Sequence, residues 1–149
     1  MRKIVSALVA IVVAASGLVL GSGVAAADVV VAPGATGHVC SGYKYMPNPK
    51  LYWQSCAWAD NNEVWFTVHF GNATDSAWTV SATGIDYYMS GQFHVGCTIY
   101  DFVVPAHSVK GTPSNYCAYS RKRAAYQSVG IVSDDNFVDK AISDSLQVQ

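Results

Sequence analysis

Past residue 27, hydrophobic positions alternate with polar ones along most of this chain. The clearest stretch is Val64-Trp65-Phe66-Thr67-Val68-His69-Phe70. Period-two alternation puts Val64, Phe66, Val68 and Phe70 on one face of a strand. Trp65, Thr67 and His69 belong to the other face.

Similar runs flank it. Residues 51–58 predict a strand, closed by the turn signal Asp60-Asn61-Asn62. After a polar loop at 71–76, residues 78–88 resume strand character, with Trp78, Val80 and Ala82 on one side. Beyond Gly84 the apolar set continues as Ile85, Tyr87 and Met89. Gly84 breaks the alternation, and a β-bulge would explain the one-residue slip. Ser90-Gly91 turns the chain, 93–104 gives one or two strands, and Pro105-Ala106-His107-Ser108 turns it again. Residues 116–119, 126–132 and 146–148 add further strands. Val64, Phe66, Val68, Phe70, Trp78 and Val80 are the expected core.

One segment predicts a short helix. Asp134 or Asp135 would cap 134–143, and Phe137/Ala141 and Val138/Ile142 form i,i+4 pairs. Residues 28–49, broken by Pro33-Gly34 and Pro47-Asn48-Pro49, read as an extended leader. Val29-Val30-Val31 would add an edge strand there, and Cys40 would tie the leader down. Residues 50–149 form the domain. Many short strands with turn signals between them predict an all-β fold, an antiparallel sandwich with at most one short helix.

The first residues change the compartment. Arg2 and Lys3 precede an uncharged run, rich in Val, Ala and Leu, that ends in Ala25-Ala26-Ala27 before Asp28. That is the layout of a signal peptide over 1–27. The run is also long enough to span a bilayer, so an uncleaved anchor is the rival. Cleavage leaves 122 of the 149 residues, enough for one domain with a core. The released chain is expected outside the cell, without further membrane contact.

Charge then excludes one partner class. After residue 27, seven Lys and Arg face ten Asp and Glu, a net charge of −3. That is no footprint for nucleic acid. The cluster Arg121-Lys122-Arg123 reads as a solvated turn.

Four cysteines, Cys40, Cys56, Cys97 and Cys117, all follow residue 27. An even number in an exported chain predicts two disulfides, with three connectivities open. Closing short loops costs least entropy, which favours Cys40–Cys56 and Cys97–Cys117. The intervals of 15, 40 and 19 residues between successive cysteines match no zinc module.

Catalytic patterns are absent from the sequence. His38, His69, His94 and His107 make no H-x-H or H-E-x-x-H, and no G-x-S-x-G occurs. Glu63 is the single glutamate, and nothing pairs it with Asp86 or Asp101 for glycoside hydrolysis. No cofactor or metal is implied. Asn72-Ala73-Thr74 matches a glycosylation sequon, but Asn72 reads first as a turn residue.

Aromatic content is the strongest compositional signal. Eighteen Phe, Trp and Tyr follow residue 27. One rich group, Tyr43, Tyr45, Tyr52 and Trp53, lies between Cys40 and Cys56. A disulfide would hold that segment rigid. Tyr and Trp combine large apolar area with a polar edge and few rotors, which suits a contact surface.

Two resemblances follow. The run from Val64 through Asn72-Ala73-Thr74-Asp75-Ser76 to Trp78, with the later Val104-Pro105-Ala106-His107-Ser108-Val109, resembles the rhythm of bacterial extracellular immunoglobulin-like domains. It is also similar to small exported actinobacterial proteins without an assigned activity. The likeness spans about residues 50–120 and implies a fold rather than an activity. The spacing of Cys40 and Cys56 in a two-disulfide β-protein is similar to exported actinobacterial α-amylase inhibitors. Those carry Trp-Arg-Tyr between the cysteines. Residues 41–55 hold Tyr43-Lys44-Tyr45 and Tyr52-Trp53 instead, with no arginine.

The sequence therefore predicts a secreted, non-enzymatic binding or surface-associated module. Its contact residues would be Tyr43, Tyr45, Tyr52 and Trp53, and its partner a cell-wall polysaccharide or an extracellular protein. The alternatives are an inhibitor of an extracellular hydrolase and a small secreted enzyme.

Overall fold

A computed structural model of the chain describes residues 28–149. The predicted signal peptide at 1–27 lies outside the described residues. Strands β1 (Val29–Val31), β6 (Trp78–Met89), β7 (Gln92–Val104), β10 (Ala124–Asp134), β11 (Phe137–Ile142) and β12 (Leu146–Val148) build one sheet. Its order is β1-β12-β10-β6-β7, with β11 also on β10. Strands β2 (Gly37–Cys40), β3 (Lys44–Tyr45), β4 (Leu51–Ala59), β5 (Glu63–Asn72), β8 (Ser108–Gly111) and β9 (Ala118–Ser120) build the second. Its order is β2-β4-β5-β8, with β3 on β4 and β9 on β5. The protein is an all-β sandwich of two sheets. All pairings are antiparallel except β1 with β12, which is parallel.

The core follows the expected faces. Val64, Phe66, Val68 and Phe70 are buried on the inner side of β5, and Trp78 and Val80 on that of β6. Phe66 stacks on Tyr87 with ring centroids 4.6 Å apart, and Phe70 meets Trp78 edge-on at 5.4 Å. Trp53 lies against the backbone of β10. A Cβ at Gly130 would come within 3.0 Å of Trp53, Ser55 and Val68, so the absent side chain is what admits the indole. Ser55 Oγ donates to Ser128 Oγ across the sheets at 2.7 Å. The Tyr126 hydroxyl donates to the Lys122 carbonyl at 3.1 Å.

The disulfides are Cys40–Cys56 and Cys97–Cys117. The first joins the directly paired positions of β2 and β4. The second ties β7 of one sheet to the start of β9 in the other.

Four expectations change. The predicted helix at 134–143 is the end of β10, a turn and β11. Asp135 adopts a left-handed φ of 48° and reverses the chain. Ala141 is then buried while Val138, Lys140 and Ile142 face out, which is strand periodicity. Residues 28–49 are no separate leader, because β1, β2 and β3 are built into the two sheets. The phase slip of β6 does not come from a bulge at Gly84. Burial passes from Val80 to Thr83 and Ile85, opposite Asp101, which adopts a φ of 51°, while the register of β6 with β10 runs unbroken through Gly84. The bulge is further on, where Val95 and Gly96 oppose Asp86 and Gly96 N–H donates to Asp86 Oδ1 at 2.9 Å. The basic cluster is not wholly a solvated turn. The Arg121 guanidinium donates to the carbonyls of Asp60, Val31, Ala32 and Gln149. One cation thus gathers the β4–β5 turn and the ends of β1 and β12 at a single corner.

Candidate functional site

The segment after Cys40 folds back as a hairpin on β4. Asn48 organises its turn: the Lys50 N–H donates to Asn48 Oδ1 at 3.1 Å and the Leu51 N–H to its carbonyl at 2.9 Å. Met46 N–H returns the bond to the Leu51 carbonyl, and its side chain is buried beneath the hairpin. This register sets Tyr45 opposite Tyr52 and Lys44 opposite Trp53. The Cys40–Cys56 bond holds the base.

The result is a cluster of three tyrosines. Tyr43 and Tyr45 are 57% and 58% exposed. Tyr43 meets the half-buried Tyr52 edge-on, centroids 5.3 Å apart and planes at 88°. Tyr45 lies 6.1 Å from Tyr52 at 49°. Tyr52 in turn lies across Gly71, where any Cβ would collide with its ring. The three rings are mutually inclined, so they form a faceted knob rather than a flat row.

Trp53 does not belong to this surface. It is fully buried in the sandwich, its Nε1 without a partner among the described residues. Neighbours on a strand point to opposite faces, so exposing Tyr52 sends Trp53 inward. The expected four-residue site is therefore three tyrosines.

A shallow groove of about 300 Å³ adjoins Tyr52, lined also by Asn72, His107 and Val109. His107 Nε2 sits 2.9 Å from Asp75 Oδ1, both exposed. The neighbouring Ser108 Oγ donates to the Pro105 carbonyl. Among the described residues, no three His, Cys, Asp or Glu side chains come close enough to hold a metal ion. Asn72 is buried and fully engaged. Its amide donates to the carbonyls of Ser76 and Val104, and its Oδ1 accepts from the Thr74 N–H and hydroxyl.

Further along the same outer face, His38 stacks on Trp58 at 4.1 Å and Trp58 runs parallel to Trp65 at 6.0 Å. His69 completes the stack at 5.9 Å from Trp58, with its Nε2 3.0 Å from Thr67 Oγ1. Burial, and then the charge of His38, hold the His69 imidazole below its ordinary value. This cross-strand ladder was not visible in sequence, because it depends on β2 lying beside β4. The outward placement of His69 beside Trp65 and Thr67 was visible.

No family model matches this chain, and neither a curated protein nor a solved structure matches it. Both cysteine pairs are bonded and no cysteine is free among the described residues, which fits an oxidising environment. No helix among the described residues is long and apolar enough to cross a membrane.

Proposed function

We propose that this chain is a secreted, non-enzymatic binding module that engages an extracellular protein through Tyr43, Tyr45 and Tyr52. The observation that carries this is the inclined geometry of the three rings on a disulfide-anchored hairpin. An extended sugar chain stacks best along a coplanar row of rings, whereas planes at 88° and 49° suit the contoured surface of a protein. Tyrosine, with tryptophan and arginine, is enriched among the residues that dominate such contacts. The anchored hairpin lowers the ordering cost of binding. An exported hydrolase is one such protein, which keeps an inhibitor within this reading. Secretion itself rests on the segment 1–27 and on the two disulfides.

The finer fold assignment is immunoglobulin-like. The sheet order β11/β12-β10-β6-β7 supports it, since it parallels the G-F-C-C′ order of variable-type domains. The Tyr126 hydroxyl bonded four residues upstream is a tyrosine corner in the position such domains place it. Ser128, two residues on, stands where those domains carry the second inter-sheet cysteine.

The test compares the secreted protein with a Tyr43→Ala/Tyr45→Ala variant in pull-downs from culture supernatant and from insoluble cell-wall polysaccharide. Stoichiometric retention of a protein by the parent chain, lost at least tenfold in the variant at unchanged thermal midpoint, is expected. Retention by the polysaccharide, or equal capture by both chains, would refute the proposal.

A further inference from the structure

Half of the large apolar side chains exposed among the described residues stand on one surface, the outer face of β11, β10, β6 and β7. The inner face of that sheet is fixed by Tyr87, Ser128 and Gly130, which meet Phe66, Ser55 and Trp53. Strand alternation then sends Asp86, Val129 and Ile131 outward. Residues directly opposed on neighbouring strands share a face. The register therefore lays rows across the four strands: Lys140–Ile131–Gly84–Thr98 and Val138–Ser133–Ala82–Tyr100. A third row starts Ile142–Val129–Asp86 and ends at Val95, in the bulge. Both flanks are apolar and open. Val95 and Tyr100 on β7 are 80% and 69% exposed, and Val138 on β11 is 68% exposed.

Size and charge say what covers this face. Four strands about 4.8 Å apart, overlapping for nine residues at about 3.3 Å each, span about 19 Å by 30 Å. Two such faces pressed together cover about 1,100 Å² as flat area, and side-chain relief adds to it, which clears the threshold of about 1,000 Å² for a specific interface. The two flanks carry opposite charge. Lys140 stands on β11, while Asp86 on β6 and Asp101 on β7 stand toward the other side. None of the three is in an ion pair among the described residues. Asp86 commits one oxygen to the Gly96 N–H and keeps the other free. A face with a cation on one flank and carboxylates on the other is complementary to its own copy turned end for end.

We infer that this face binds a second copy of the same chain in a two-fold dimer. The axis runs parallel to the strands, in the plane of contact, between β10 and β6. That operation lays β11 of each copy over β7 of the other, so each contact occurs twice. Lys140 comes over the partner's Thr98, within reach of the partner's Asp86. Val138 and Ile142 pack on the partner's Tyr100 and the partner's Val95. An axis across the strands would instead lay the acidic flank on itself. The tyrosine knobs ride on the other sheet and stay free on opposite sides of the dimer.

Sedimentation equilibrium of the secreted chain, from about 1 µM to about 1 mM, reads its mass across the range of transient and stable dimers. A shift from monomer to dimer is expected, with no larger species. Tyr100→Glu should weaken the dimer about tenfold or more, the scale of losing an aromatic anchor, at unchanged thermal midpoint of the diluted monomer. Lys140→Glu should also weaken it, because like charges then meet. Tyr45→Glu, on the knob, should leave it unchanged. Dilution of the parent chain followed by NMR should move signals centred on Val95, Tyr100 and Val138, a readout that needs no variant to fold. A parent chain that stays monomeric at millimolar concentration overturns the dimer. Tyr100→Glu dimerising as tightly as the parent, or Tyr45→Glu dissociating it, overturns the face. Lys140→Glu dimerising as tightly as the parent overturns the axis. The pull-down with the Tyr43→Ala/Tyr45→Ala variant reads the knob separately.

Discussion

Ser55 and Ser128 join the two sheets through a hydroxyl pair 2.7 Å apart, both side chains fully buried. Neither hydroxyl has water to fall back on. Removing one partner leaves the other orphaned, while removing both leaves no polar group to satisfy. Ser128→Ala should therefore cost about 1–3 kcal/mol, and Ser55→Ala/Ser128→Ala should cost less than the sum of its singles. Denaturant melts of the four chains measure this. Additive losses would show that the pair is uncoupled.

Phe66 packs against Tyr87, Tyr119 and Tyr126, rings contributed by both sheets. Phe66→Ala should cost about 3–5 kcal/mol, because the surrounding rings cannot collapse onto the void. Equilibrium unfolding checks it. A cost below about 1 kcal/mol would mean that this face is not core.

Asn72 uses all four of its hydrogen-bonding positions, three within its own loop and one on the Val104 carbonyl of β7. Asn72→Asp replaces two donors with acceptors that face carbonyl oxygens. It should cost on the order of 1–3 kcal/mol for each carbonyl left unpaired. The same engagement makes the sequon unavailable. Intact-mass measurement of protein made in a glycosylating host should show no glycan at Asn72.

His69 gives a pH dependence with a definite sign. Its imidazole is held below the ordinary value of 6.5 by burial first and by His38 second. Between that lowered value and 6.5 the unfolded chain binds the proton more readily than the folded one. The contribution is complete above about 6.5 and is lost as the pH falls toward the lowered value. Thermal midpoints across that window should fall on acidification, and His69→Gln should flatten the slope.

The legible parts of this fold are those decided within one strand. Val64 to Phe70 could be placed because its apolar and polar positions alternate without exception. The segment 134–143 could not, and the reason is arithmetic. A spacing of four belongs to both the helical and the strand period, so Phe137/Ala141 and Val138/Ile142 fit either. What decides is the turn at Asp135 and the free side of β10, neither of which is local. Strands β2, β3 and β8 are too short to signal themselves and exist because β4 and β5 offer them edges. At the candidate site, Tyr43 and Tyr45 were recoverable from composition and the tether between cysteines. Tyr52 and Trp53 were not separable, since two adjacent aromatics say only that one goes in and one out. An apolar cleft between the sheets, lined by Val64, Tyr87, His94, Tyr119 and Tyr126, was invisible, because its walls come from five strands.

The parallel pairing of β1 with β12 has a mechanical meaning. Val29, Val30 and Val31 lie beside Leu146, Gln147 and Val148, pointing the same way. A load entering along β1 and leaving along β12 pulls the strands past each other. The bonds between them must then yield together instead of one at a time. Arg121 adds a crosspiece at the end of that seam, holding carbonyls of Val31 and Gln149 at once. Built this way, the seam between β1 and β12 is loaded in shear, as a lap joint is.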